Sequence, residues 1–363
     1  MVRLTNNKLF RSLIYTLLIF TIIYLIHLTG FIFKPVGLLI AAIAVPIIGA
    51  GVLYYITNPL VSLLERYKVP RIVGILIVFV LIILFAYLSI YFIIPPVQEQ
   101  FALLVDNMPK MIASFEELID IWQNRNEFLP SGVEDTIQNV LNNLDSYIEH
   151  IMGSLFSFIG SLFSFVFSIV LIPFFLFFML KDGHKLVPFI TSFFSESKAQ
   201  NIERLFTNIS RTLASFIQGQ FLVSFCVGIM LLIGYLSVGL NYALMLALFG
   251  LFMNLIPFIG PWISAIPAVI IGFFQDPMIG LWTAVIMIVA QQIESNFISP
   301  NVMGKVLKLH PLTVITIILA AGAMAGFVGF LLAVPTYAVA KTIITHFYEL
   351  YTNNLPAGKK TIL

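Results

Sequence analysis

Long apolar runs separated by short polar segments recur along most of this chain. Each run has about twenty residues, and an α-helix of that length crosses the roughly 30 Å hydrocarbon core of a bilayer. Apolar runs at residues 13–29, 36–56, 72–94 and 155–180 predict the first four crossings, and further runs follow between residues 214 and 350. This pattern is typical of an all-α polytopic integral membrane protein.

Basic residues in the polar segments predict which side of the membrane each segment faces. They precede the first run, separate the second from the third, and follow the last runs: Arg3, Lys8 and Arg11; Arg66, Lys68 and Arg71; Lys305, Lys308, Lys341, Lys359 and Lys360. Cytoplasmic loops of membrane proteins carry an excess of Lys and Arg. We therefore expect both termini to lie in the cytoplasm.

The segment from residue 96 to residue 150 differs from the rest of the chain, because it holds ten acidic side chains and two basic ones. Apolar positions at helical spacing predict two helices joined by a turn. Ser131 and Glu134 form a capping box that would start the second helix. We expect an extracytoplasmic helical hairpin, whose role is open between a cation-attracting vestibule, an oligomer contact and a simple solvated domain.

A helix-breaking sequence interrupts the apolar tract at residues 242–274. Proline breaks or kinks a helix, and two half-length helices cannot each span the bilayer. We therefore predict a re-entrant hairpin, which gives a total of about eight transmembrane helices plus this hairpin. Non-helical backbone at membrane depth faces the permeant in secondary transporters. The residues we expect to line a transport path are Asn254, Pro257, Gly260, Pro261 and Pro267. A kink that only shapes packing is the alternative.

These patterns divide the chain into successive segments. The predicted order is three N-terminal transmembrane helices, the acidic hairpin, a fourth transmembrane helix, a cytoplasmic amphipathic segment, a C-terminal transport core that contains the re-entrant hairpin, and a cytoplasmic tail. Their bounds are 1–95, 96–150, 151–180, 181–213, 214–350 and 351–363.

Glu294 is the acidic residue with the clearest functional meaning. It follows a long apolar run, and a charge at mid-bilayer costs roughly 2.5–3.5 kcal/mol on insertion scales. A carboxyl group near that depth is suited to carry a proton or a cation. Gln292 and Asn296 flank it, and Gln291 shares its helix face. The alternative is a glutamate at the membrane interface that marks the end of a helix.

Gln218 and Gln220 form a polar notch at the start of the fifth crossing. They are candidates either for contact with a substrate or for a simple cap at the cytoplasmic end of the helix.

Three glycines in the last apolar region, Gly322, Gly326 and Gly329, recur at three- and four-residue spacing. Close helix packing accounts for this spacing, and a hinge or a second hairpin is the other interpretation.

Composition narrows the class of function. The chain is 60% hydrophobic and only 10% charged, against about 25% charged in a typical soluble domain. It contains no phosphate-binding loop, no His-Glu-x-x-His and no Cys-x-x-Cys, and its single cysteine, Cys226, excludes an internal disulfide. We expect no catalytic residues, no cofactor, no bound metal and no nucleic-acid partner.

The spaced polar and helix-breaking residues resemble the AI-2E transporter family, also called the autoinducer-2 exporter family. The resemblance covers nearly the whole chain and is strongest from about 170 to 340. The residues that carry it are Lys181-Asp182-Gly183, Gly219-Gln220, Asn254, Pro257, Gly260-Pro261, Pro267, Gln292, Glu294, Asn296, Pro300, Gly304, His310-Pro311, Gly329 and Pro335.

This resemblance implies a multi-pass transporter of the bacterial cytoplasmic membrane that forms a homo-oligomer. Members of the family are associated either with export of the furanone autoinducer-2 or with exchange of sodium or lithium for protons. Glu294 favours proton coupling, whereas the amides of Asn254, Gln218 and Gln292 could bind a neutral furanone.

We therefore predict a secondary transporter that exports a small polar solute, or Na⁺ or Li⁺ in exchange for protons, with the lipid bilayer as its environment. A non-transporting membrane scaffold that acts through the acidic hairpin is the alternative from another class. Deletion of residues 97–150 separates the two, because a scaffold loses its phenotype and a transport core keeps its flux.

Overall fold

The computed structural model describes residues 8–125, 166–303 and 310–353, and every regular element in these ranges is helical. Three of the predicted features lie outside them. These are the second helix of the acidic hairpin with its Ser131–Glu134 cap, the first part of the fourth crossing, and the basic residues of 304–309 and of the tail.

In chain order the elements are α1 (Lys8–Leu28), α2 (Gly30–Arg66), α3 (Arg71–Phe92), α4 (Ile94–Arg125), α5 (Val166–Thr191), α6 (Glu196–Ser237), α7 (Ala243–Met253), α8 (Ile259–Gln275), α9 (Pro277–Ile293), a π-helical turn (Glu294–Ile298), α10 (Ser299–Met303) and α11 (Pro311–Asn353).

Five helical stretches of the described chain have the length and hydropathy needed to cross a membrane. They are 37–66, 71–110, 196–237, 277–303 and 312–352. Their outward faces are apolar rather than charged, as at Phe85, which is 70% exposed in the isolated chain. Because a helix that is apolar all round needs an apolar environment, these faces are suited to lipid. The fold is thus that of an all-helical, multi-pass membrane protein.

The N-terminal helices pack into one bundle with α5. Its core consists of Ala50, Val61, Ile75, Val78, Ile172, Leu176 and Leu180 from α2, α3 and α5. One end of the bundle is joined by Arg71, whose Nε donates to the Leu180 carbonyl at 2.8 Å. The same guanidinium bonds the Glu65 carboxylate at 2.9 Å. Arg71 therefore ties α2, α3 and α5 together.

A second bundle surrounds α6 and contains α7, α8 and α9. Glycines allow its helices to approach closely, as expected where small residues mediate packing in membranes. Gly228 and Gly234 of α6 contact Leu251 of α7 and Ile286 of α9. Gly272 of α8 lies directly against Gly280 of α9. These contacts bring α7 and α9 against the long helix α6, and α8 against α9.

Helix α11 reverses its direction near its middle. Ala325 and Gly326 have non-helical backbone angles, and Gly326 has a φ of +58°. A Cβ atom built on Gly329 would lie 2.0 Å from the carbonyl oxygen of Ala321. Residues eight apart in an unbroken helix are separated by about 12 Å, so the chain must fold back between them. The hinge or second hairpin that the glycine spacing left open is present, and the glycines also allow the two arms to pack closely.

The close approach of the two α11 arms predicts the effect of a single methyl group. Gly329→Ala forces the new Cβ against the backbone of Ala321, and we expect a loss of about 1–3 kcal/mol of stability from overpacking. The measurement is thermal unfolding of the detergent-purified protein.

Gly37→Ala is the matched control, because nothing lies within 4 Å of a Cβ at that position. It should leave the unfolding temperature unchanged or raise it, since alanine is favoured over glycine in a helix. Equal stability of the Gly329 and Gly37 variants would contradict the hairpin geometry.

Candidate functional site

The turn between α7 and α8 is a tight reversal with an unusual backbone. The Ile259 N–H donates to the Pro257 carbonyl at 2.8 Å, and Phe258 between them has φ 65° and ψ −48°. These values describe a classic γ-turn, which is rare and strained. A bulky residue in this region costs on the order of 1–3 kcal/mol, and such strain concentrates at functional sites. We call residues 254–258 the hairpin tip.

Gly260 is required by the closeness of the two arms at the tip. A Cβ at this position would lie 1.8 Å from the Met253 carbonyl oxygen. Only glycine avoids that collision, so the sequence breaks the helix with prolines and closes the turn with a glycine.

Two polar side chains of α6 satisfy the broken end of α7. Gln220 Nε2 donates to the Asn254 carbonyl at 2.6 Å, and Asn254 Nδ2 donates to Ser224 Oγ at 3.5 Å. Asn254 is only 2% exposed. A carbonyl at a helix C-terminus has no intrahelical partner, and an unsatisfied one inside a bilayer is costly. Gln220 and Ser224 therefore hold the tip in place.

Glu294 opens the π-helical turn that follows α9. Its carboxylate accepts a hydrogen bond from Gln291 Nε2, and the Ser299 side chain is a second hydrogen-bond partner. A π-helical turn inserts one extra residue into a helix and occurs often at functional sites. Here it brings side chains from positions 291, 294 and 299 to one place.

The hairpin tip and the π-helical turn face the same cavity, whose volume is about 420 Å³. Helix α6, α10 and both arms of α11 complete its wall. The polar lining consists of Gln220, Gln291, Glu294, Ser295 and Ser299. The apolar lining consists of Phe216, Pro257, Phe258, Pro300, Met303, Val314 and Val334. Pockets that bind small molecules have this size and this mixture of apolar walls with a few polar groups.

The structure brings three of the predicted site residues onto the cavity wall, namely Gln220, Pro257 and Glu294. Asn254 and Gly260 support the tip from behind. Pro261 and Pro267 lie in α8 and are not part of the lining.

The remaining three predicted residues make other contacts. Gln218 Nε2 donates to the Tyr55 carbonyl at 2.7 Å and so joins α6 to α2. Gln292 and Asn296 are exposed, and Asn296 Nδ2 donates to Gln292 Oε1 at 2.9 Å.

Sequence reasoning missed Ser295 and Ser299 as lining residues. Ser299 lies five residues after Glu294, and a helix with 3.6 residues per turn does not bring that spacing onto one face. No pattern in the sequence indicated the π-helical turn. Ser295 lies four residues after Gln291 and so shares its face in an ordinary helix. Gln291 was within reach of such reasoning, because its three-residue spacing from Glu294 puts both on one face.

A cavity beside a helix break inside an all-helical membrane bundle is typical of multi-pass membrane transporters. Comparison with known proteins supports the same class. Residues 14–349 match the model of a family described as AI-2E family transporters. The chain belongs to the AI-2E transporter family.

Several relatives match along most of their length. YueF of Bacillus subtilis (strain 168), which carries a provisional name as a transport protein, is 35% identical over 92% of each chain. YrrI of the same strain, with a similar provisional name, is 27% identical over 93% of this chain and 96% of its own. A protein of Halobacillus andaensis named sodium-lithium/proton antiporter is 25% identical over 87% of this chain and 93% of its own.

The hydrogen bond from Gln220 to the hairpin tip predicts a loss of stability when that bond is removed. Gln220→Leu leaves the buried Asn254 carbonyl without a donor, and we expect a loss of about 1–3 kcal/mol of stability. Thermal unfolding in detergent measures this change. Gln292→Leu is the control, because Gln292 is exposed and lies off the cavity wall. An equal loss in both variants would show that Gln220 has no special role at the tip.

Proposed function

We propose that the chain is a secondary transporter of the bacterial cytoplasmic membrane. It exports a small polar solute of the autoinducer-2 kind, or a monovalent cation, in exchange for protons. The observation that carries the proposal is the cavity at which a broken helix and the Glu294 carboxylate meet. Such discontinuous helices form the substrate sites of secondary transporters. No cofactor and no resident metal enter the proposal.

The lengths of the two hairpin arms support a re-entrant arrangement of residues 242–274. Helix α7 has 11 residues and α8 has 17, which correspond to about 16 Å and about 25 Å. Both are shorter than the roughly 30 Å of hydrocarbon. We propose that the hairpin enters and leaves on one side, within a chain of about eight crossings.

Both substrate classes have support in the lining of the cavity. The amides of Gln220 and Gln291 and the hydroxyls of Ser295 and Ser299 can donate and accept hydrogen bonds, which suits a small hydroxylated solute. The Glu294 carboxylate suits a proton or a cation instead. The name of the Halobacillus andaensis relative favours the second class.

Alternating access would come from movement of the C-terminal bundle against the N-terminal bundle. A bond between the two bundles that such a movement must accommodate runs from Gln218 to the Tyr55 carbonyl. We further propose a homo-oligomer, on the basis of the family resemblance.

Transport assays with the purified protein test the role of Glu294. In proteoliposomes with an internal pH-sensitive dye, addition of Na⁺ or Li⁺ should move protons in the wild type. Glu294→Gln should reduce that signal at least tenfold, because the amide cannot exchange a proton. Glu203→Gln is the matched control, since Glu203 is exposed on α6 and lies away from the cavity, and it should retain the wild-type signal.

A wild-type protein that moves no protons with either cation would contradict the antiport proposal. The neutral solute is then tested directly, by following the release of autoinducer-2 loaded into the same vesicles. Absence of both activities would overturn the proposed function.

A further inference from the structure

The α7–α8 hairpin has a base as well as a tip, and the base is closed by hydrogen bonds. Gln275 Nε2 donates to the Gly239 carbonyl at 2.8 Å, and Gln275 Oε1 accepts from the Asn241 N–H at 2.8 Å. One side chain at the end of α8 therefore fastens the segment that leads into α7. We call residues 239–242 together with Gln275 the hairpin base.

Helix α7 lacks a cap of its own and obtains one from α4. Tyr242, at the N-cap position, makes no capping hydrogen bond through its side chain. Met245 is the third residue of α7, and its N–H donates to Gln100 Oε1 at 3.0 Å. The first amides of a helix have no intrahelical partner. A glutamine distant in sequence thus performs the task of an N-cap side chain.

Tyr242 makes a second polar connection between α4 and the hairpin base. Its hydroxyl accepts from Asn107 Nδ2 at 3.1 Å and donates to the Leu103 carbonyl at 3.3 Å. Its backbone is left-handed, with φ 60°, which is uncommon for a residue with a side chain. The chain keeps this conformation at the point where the tyrosine ring reaches α4.

An apolar contact accompanies these hydrogen bonds. Leu104 is 6% exposed and belongs to the core cluster that α6, α7, α8 and α9 form, and Met108 packs against the same cluster. Gln100, Leu104, Asn107 and Met108 recur at spacings of three and four residues, so they share one face of α4. The first helix of the acidic segment is therefore attached to the C-terminal bundle and is not a free solvated element.

We propose that α4 is a strap that positions the re-entrant hairpin. Gln100, Asn107 and Tyr242 are its positioning residues, and the strap opens when their three hydrogen bonds break and Leu104 leaves the core cluster. Held at its base by α4 and at its tip by α6, the hairpin keeps Pro257 and Phe258 on the cavity wall. This inference rests on the proposed function only in taking that cavity as the transport site.

The exposure of Leu104 reports the opening of the strap without any transport assay. In a Cys226→Ala background, Leu104→Cys is labelled with a maleimide fluorophore on the detergent-purified protein. Because a buried thiol reacts only while the strap is open, the labelling rate follows the opening equilibrium. Adding Tyr242→Phe or Gln100→Leu should raise that rate about 2- to 10-fold, the range expected for loss of one or two hydrogen bonds.

Two comparisons separate a positioning role from general destabilisation. Gln100→Glu retains an acceptor oxygen for the Met245 N–H, so it should keep the labelling rate near that of the parent. Asp106→Cys on the exposed face of α4 should react at the same rate with or without Gln100→Leu. If Gln100→Leu does not fold, Tyr242→Phe alone decides, since it removes a single hydroxyl.

The proposal is overturned if Leu104→Cys reacts equally fast in the parent, in Gln100→Leu and in Tyr242→Phe, or if Gln100→Glu raises the rate as much as Gln100→Leu. The wild type is also assayed for flux in proteoliposomes. Absence of flux with a strap-dependent labelling rate would contradict the proposed function and leave the strap intact, so the two failures are distinguishable.

Discussion

A backbone group that loses its helical partner inside a bilayer finds no water to replace that partner. The C-terminal half of this protein is arranged around this constraint. The chain breaks at the hairpin tip, and Gln220 on α6 supplies the donor that the Asn254 carbonyl needs. Because that bond comes from another helix, the tip is stable only while α6 is packed beside it. The glycines of α6 allow α7 and α9 to pack closely against it, and so they help to keep this donor beside the tip.

The hairpin is held at two places by different chemistry. At its tip a buried amide and a strained γ-turn fix the backbone next to the cavity. At its base Gln275 and the side chains of α4 provide bonds that are exposed or only partly buried. A deeply buried bond is costly to break, whereas a partly exposed bond exchanges with water at small cost. The hairpin thus has a buried attachment at the cavity and a more exposed attachment at its base.

Much of the candidate site follows from residue types that are unusual where they stand. Prolines and a glycine in an apolar tract predicted the helix break, and the position of Glu294 after an apolar run predicted its role at the site. The individual lining residues were harder to predict from the sequence. The π-helical turn brings Ser299, five residues after Glu294, onto the cavity wall beside it, whereas Gln292 and Asn296 lie exposed. Gln218 and Gln220 are two residues apart, and they point to different partners because they lie on different faces of α6.

The sequence by itself determined the class of the protein, because hydropathy, run length and helix breakers act locally and can be recognised directly in the sequence. It determined the all-helical membrane fold, the interruption of the chain near residue 257 and the family. Only the tertiary structure decided which glutamine satisfies which carbonyl and that α4 caps α7. These contacts join residues far apart in sequence, and their formation depends on the packing of whole helices. A single sequence carries no local signal for such pairs.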